Sequence, residues 1–65
     1  MELIPASDIA LASKFASYAA AEKMADAVGF DDPEWNYDVR QIAPGKFVIA
    51  VYDSPEEDGE FLGYL

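Results

Sequence analysis

Two runs of alternating apolar and polar residues, separated by a Pro-Gly pair, constrain this chain more than any other feature. The apolar members are Trp35, Tyr37 and Val39 in the first run and Phe47, Ile49 and Val51 in the second. Alternation with a period of two is typical of half-buried strands. Pro44-Gly45 lies between the runs in the order that a type II turn requires. The pattern predicts an antiparallel hairpin with strands at about residues 35–42 and 46–53.

The length of the turn decides which face of the hairpin is apolar. A strict two-residue connection would place Ile49 on the same face as Asp38 and Arg40. One extra residue, in the turn or as a β-bulge, places Ile49 beside Tyr37 and Val39 instead. Because the second arrangement collects apolar residues on one face, we predict the bulged form.

The part of the chain before Gly29 is rich in alanine, since nine of the eleven Ala precede residue 28. This composition favours helix. Ser17 is a suitable N-cap and Gly29 a suitable C′ residue, so a helix is predicted over residues 18–28. Its apolar stripe, at helical spacing, consists of Ala21, Met24, Ala25 and Val28, with Ala20 beside it. Such a face fits against a sheet.

The segment before Ser17 has two interpretations. Ser7-Asp8 could cap a helix over about residues 8–14, which would form either a separate helix or the first part of a kinked one. The same residues, Ile9 to Phe15, also alternate like a strand. We favour helix.

The last apolar run, Glu60 to Leu65, follows Asp58-Gly59 and predicts a third antiparallel strand at about residues 60–64. The sequence therefore predicts a single α+β domain over residues 1–65, in which helical segments pack on a three-stranded meander. With no Cys and no His, neither a disulfide nor a typical zinc site can stabilise so short a chain. Tight packing or oligomerisation remains, so the chain is a monomer or a homodimer.

Acidic residues outnumber basic ones by thirteen to four, which gives a net charge of −9. Nucleic acid and anionic membranes are poor partners for such a chain, whereas basic proteins are good ones. The N-terminus has no basic segment before an apolar one, and no apolar run is long enough to span a membrane. We therefore expect a cytoplasmic protein, and Met1 suggests a complete small open reading frame.

The predicted topology brings two acidic loops to one end of the sheet, because the first strand begins where the second one ends. The predicted partner-binding residues are Asp31, Asp32, Glu34, Trp35, Asp53, Glu56, Glu57, Asp58 and Glu60. Acidic loops beside an apolar hairpin can serve solubility alone. They can also form a protein-binding surface. The most specific form of this hypothesis is a nucleic-acid mimic, in which the carboxylates take the place of phosphates. The loop spacing does not match an EF-hand, so we predict no metal site.

Catalysis is not expected from this sequence. Without His or Cys the commonest proton-transfer groups and nucleophiles are missing. The four Gly are isolated and form no phosphate-binding loop. We predict a protein that is not an enzyme and needs no cofactor.

In size, charge and general style the whole chain resembles small phage-borne or mobile-element proteins, and among these the anti-CRISPR inhibitors. The hairpin from Tyr37 to Asp53 and the helical first half carry this resemblance, which includes no diagnostic motif. It implies a bacterial host cell and an inhibitor that binds a nucleic-acid-contacting surface of a CRISPR effector subunit. The alternative hypothesis is a structural or adaptor domain whose charge serves solubility, either monomeric or paired as a homodimer through the strand Phe61 to Leu65.

Overall fold

The chain folds as an α+β domain in a computed structural model that describes residues 3–53 and 59–65. A 3-10 turn (Ala6–Asp8) leads into the short helix α1 (Ile9–Ala12) and the long helix α2 (Tyr18–Asp31). The strands are β1 (Asn36–Ala43), β2 (Lys46–Tyr52) and β3 (Phe61–Tyr64). They form one antiparallel sheet in the order β1-β2-β3. The predicted fold class and meander are confirmed, with strand ends that differ by a residue or so.

The hairpin has the bulged register that the sequence predicted. Tyr37 pairs with Val51 and Val39 with Ile49, while the register shifts between Gln41 and Ala43. This bulge restores the apolar residues of both strands to one face. Gly45 has a φ of 70°, the left-handed value that the third position of a type II turn needs.

Helix α2 packs on that apolar face through its smallest side chains. Ser17 caps it as predicted, since its Oγ accepts a hydrogen bond of 3.2 Å from the Ala20 N–H. Ala21 and Ala25 are buried in one core cluster with Ile49. Met24, by contrast, is 43% exposed, and Ala20 is exposed as well. The predicted stripe was therefore too wide.

The end of α2 corrects a second expectation. Gly29 was predicted to terminate the helix, but α2 continues to Asp31, and Asp32 is its C-cap. Gly29 faces the sheet, where a Cβ would lie 3.4 Å from Cδ2 of Tyr37. Ala21, Ala25 and Gly29 recur at every fourth position, so the small size of all three lets the helix backbone approach the sheet closely.

The segment before α2 combines both of its predicted interpretations. The two-helix form is confirmed, but α1 covers only Ile9–Ala12. Neither Asp8, the N-cap of α1, nor Pro5, the N-cap of the preceding 3-10 turn, makes a side-chain capping hydrogen bond. Leu11 is 70% exposed. Phe15 is buried outside any helix and forms an antiparallel bridge with Phe47, whose N–H donates to the Phe15 carbonyl at 3.0 Å.

The outer edge of β3 is partly covered by the N-terminal segment. Ile4 and Tyr64 exchange two backbone hydrogen bonds of 2.7 Å each. Gly63 permits this approach: its φ is 149°, and a Cβ there would lie 2.9 Å from the Ile4 carbonyl oxygen. The edge from Phe61 to Leu65 is thus not free at Tyr64. None of the helices among the described residues is long and apolar enough to cross a membrane.

Candidate partner-binding site

The pairing of Asn36 with Tyr52 brings two acidic segments to one end of the sheet. One segment precedes Asn36 and the other follows Tyr52. At the far side of the second segment, the Asp53 N–H donates to the Glu60 carbonyl at 2.9 Å, so these two residues lie together. We call this end the acidic pole; its described carboxylates belong to Asp31, Asp32, Glu34, Asp53 and Glu60. The predicted site residues Glu56, Glu57 and Asp58 lie outside the described residues.

The first acidic segment is held in place by backbone hydrogen bonds. The Asp32 N–H donates to the Val28 carbonyl at 2.9 Å and so closes the last turn of α2. The Asp32 carbonyl accepts from the Tyr37 hydroxyl at 3.3 Å and from the Trp35 N–H at 3.4 Å. Asp32 and Trp35 are half-buried, while Asp31 and Glu34 are exposed. The segment therefore presents carboxylates on a backbone tied to β1.

The negative charges of this segment act on the neighbouring phenol of Tyr37. Its pKa is raised above 10.0, first by burial and then by the charges of Asp32, Glu34 and Asp31. Both causes disfavour the ionised phenolate. Three of the predicted site residues thus act together on one neighbouring group.

The positions of Asp31 and Asp32 at the end of α2 create an unfavourable electrostatic interaction at the pole. Asp31 is the last residue of the helix, Asp32 is its cap, and the last turn contains no basic residue. A helix C-terminus carries partial negative charge, so each carboxylate there is unfavourable by about 0.3–1 kcal/mol. The sequence did not reveal this effect, because the helix was predicted to end before Asp31.

The opposite end of the hairpin carries the opposite charge. Lys46 begins β2 directly after the turn at Gly45 and is exposed. The long axis of the hairpin is therefore electrostatically polar. A basic partner would be attracted to one end and repelled from the other.

Within residues 3–53 and 59–65, no group of three or more Asp, Glu, His or Cys is placed to hold a metal ion. Asp31, Glu34, Asp53 and Glu60 are exposed, so their carboxylates are accessible to Lys and Arg side chains of another protein. Such pairs are individually weak in water but additive in steering an encounter.

A polar groove on the sheet face opposite α2 was not predicted as a site. It has a volume of about 410 Å³ and is lined by Asn36, Asp38, Arg40 and Tyr52. Arg40 donates to the Asp38 carboxylate at 2.8 Å and to the Tyr52 hydroxyl at 2.7 Å. The bond to Asp38 is the main reason that the pKa of Arg40 is raised. Asn36, Asp38 and Arg40 alternate along β1, and this alternation was the signal available in the sequence.

In comparisons with known proteins, no protein-family model, curated protein or solved structure matches this chain. The function proposed for this chain therefore rests on the geometry and charge of the site and on the resemblance in size and charge.

Proposed function

We propose that this chain is a non-enzymatic inhibitor of the bacterial cytoplasm that binds a basic, nucleic-acid-contacting surface of a partner protein through its acidic pole. Its carboxylates would take the place of nucleic-acid phosphates. An anti-CRISPR protein directed at an effector subunit is the form of this proposal that the resemblance in size and charge favours. The observation that supports it best is the Asn36–Tyr52 pair, which puts both acidic segments at one end of the sheet.

Rigidity is the second reason to favour a nucleic-acid mimic. Phosphates in a nucleic acid occupy defined positions, so a mimic gains affinity when its carboxylates do not need to be ordered on binding. The described part of the pole meets this condition in its first segment, where the Asp32 carbonyl and amide are both hydrogen-bonded. Binding would be fast at low salt and would weaken as salt screens the charges.

A neutralised variant tests the role of the pole. We would change its four exposed carboxylates to amides of the same shape, as D31N, E34Q, D53N and E60Q. The control neutralises three exposed carboxylates outside the pole, as D8N, E22Q and D26N. Circular dichroism and thermal unfolding of both variants establish that each is folded.

Each immobilised protein is then exposed to lysate of the native bacterial host at low and high salt, and the eluted proteins are identified by mass spectrometry. We expect the wild-type and control chains to capture a nucleic-acid-binding protein that high salt releases, and the pole variant to lose it. The captured protein should also lose its DNA or RNA when wild-type chain is added. Equal capture by the pole variant would refute the proposal, and recovery of the bait alone would favour the adaptor hypothesis.

A further inference from the structure

Among the described residues, the outer edge of β1 is the sheet edge that no other segment covers. At the other edge, Ile4 covers β3 at Tyr64. In the described parts of the chain, β1 has backbone partners only on β2, along its inner side. An unpaired strand edge is a template on which another strand can form hydrogen bonds.

The pairing pattern shows which groups of β1 point outward. The Ile49 carbonyl accepts from the Leu65 N–H at 2.9 Å, so it is directed away from β1. In an antiparallel ladder, the residue opposite such a position also directs its N–H and C=O away from the partner strand. That residue is Val39. By alternation, the backbone groups of Tyr37 and Gln41 point outward too.

A two-fold axis that passes between Val39 of one copy and Val39 of the other would make this edge complementary to itself. In an antiparallel arrangement, Val39 faces Val39 of the second copy, and Tyr37 faces Gln41 of the second copy. All of these residues have outward backbone groups, so they form hydrogen-bonded pairs. Asp38 then faces Arg40 of the second copy at the intervening positions, where side chains lie closest. Opposite charges at such positions stabilise strand pairing.

The two charged side chains are available for this contact. They lie on the sheet face opposite α2, since Asp38 pairs with Ala50 and Arg40 with Val48. They are 48% and 58% exposed and already form an ion pair within one chain. Joining two copies would extend that pair into a ring of four alternating charges.

The net charge of −9 does not oppose this arrangement strongly. Antiparallel pairing separates the two acidic poles, because the Asn36 residues of the two copies lie six positions apart along the new ladder, about 20 Å. This distance exceeds the Debye length of about 8 Å at physiological salt. Each pole instead lies beside the turn that carries Lys46 of the other copy.

We infer that a second copy of this chain pairs with the outer edge of β1 and extends the two sheets into one. The inference goes beyond the proposed inhibitory role and leaves the acidic pole exposed. A single strand edge buries less surface than a standard protein interface, so we expect a weak dimer whose population rises with protein concentration.

Charge reversal at the edge tests the register. D38R places positive charge at both facing positions and R40D places negative charge at both. By sedimentation equilibrium up to millimolar concentration, we expect wild type to dimerise and each variant alone to dimerise at least about tenfold more weakly. An equimolar mixture of the two should regain dimers, because opposite charges face each other again. E22R and K23D, which make the same charge changes on α2, should behave like wild type.

Hydrogen exchange gives an independent measurement on the unaltered chain. The Tyr37 and Val39 amides should become protected as concentration rises, while the inward-facing Asp38 and Arg40 amides are protected throughout. A wild type that stays monomeric at every concentration would refute the inference. So would a mixture of D38R and R40D that associates no better than either variant alone, or protection that does not change at Val39.

Discussion

The substitution Gly29→Ala tests how α2 ends and packs. Gly29 lies two residues before the end of α2, and the positive φ values among the described glycines are at Gly45 and Gly63. In a helix interior Ala is more favourable than Gly by about 0.8–1 kcal/mol, and the gain is smaller near a helix end. The new Cβ would lie 3.4 Å and 3.6 Å from two ring carbons of Tyr37, which is ordinary contact. We expect the free energy of unfolding to rise by about 0.5–1 kcal/mol.

The assay is thermal unfolding followed by far-ultraviolet circular dichroism, with urea unfolding as a second measurement. For a chain of this size, 1 kcal/mol corresponds to a change in Tm of about 4–8 °C. G29A should therefore raise Tm by about 2–8 °C. The urea midpoint should rise while the m-value stays constant, since the surface exposed on unfolding hardly changes.

Gly45→Ala is the matched control, because Gly45 has a φ of 70° and a Cβ there would meet nothing within 4 Å. Only backbone strain acts at this position, so G45A should lower stability by about 1–2 kcal/mol. If G29A also lowered Tm, Gly29 would behave as a left-handed C′ residue. That result would refute the continuation of α2 to Asp31.

Substitutions at four further positions test separate features. In wild type, the unfolding free energy should fall as pH rises above 10, because the raised pKa keeps the native Tyr37 phenol protonated while the unfolded one ionises from about 10.0. Y37F removes this phenol, so its unfolding free energy should fall less above pH 10. An unchanged alkaline slope would contradict this. S17A should lower the unfolding free energy by about 1 kcal/mol through loss of the cap to Ala20, whereas S17D should retain most of it. G63A should lower the unfolding free energy by about 1–3 kcal/mol, because the new Cβ would lie 2.9 Å from the Ile4 carbonyl oxygen. It should also speed hydrogen exchange of the Tyr64 amide, and an unchanged exchange rate would contradict the Ile4–Tyr64 bridge. D31K should raise Tm slightly, because it replaces an unfavourable charge at the helix C-terminus with a favourable one worth about 0.3–1 kcal/mol, and a lower Tm would contradict this reasoning.

The hairpin could be predicted in detail because its constraints are local. Alternation fixed the strands, Pro44-Gly45 fixed the turn, and only one register put Val39 and Ile49 on the same face. A one-residue slip would have reversed every side chain of one strand. The bulge followed from that requirement, without any knowledge of the rest of the fold.

The N-terminal segment could not be predicted as well, because contacts distant in sequence decide it. Leu11 and Phe15 are spaced for one helix face, yet Leu11 is exposed and Phe15 pairs with Phe47. The strand partner of Phe15 lies more than thirty positions away, so no local pattern indicates it. Likewise, Gly29 carries the local signal of a helix end, yet α2 continues past it to Asp31, and Gly29 lies against the ring of Tyr37.

The candidate site was predictable in its location and less so in its electrostatics. That two acidic segments meet at one end follows from any hairpin of this register. The sequence did not show that Asp31 ends α2, nor that the Asp32 carbonyl accepts hydrogen bonds from Tyr37 and Trp35. These details depend on where the helix ends, which is the least reliable part of a prediction from sequence.

The position of the charges on α2 supports the proposed partner-binding role over a role in solubility alone. Acidic residues would stabilise the helix in its first turn, but that turn has none, and Asp31 and Asp32 lie at the end where they are unfavourable. A 65-residue chain has about 3–10 kcal/mol of stability in total, so this cost is not negligible. Carboxylates anywhere on the surface would serve solubility equally well. Their concentration at the one end where they destabilise the helix is expected if a partner must find them there.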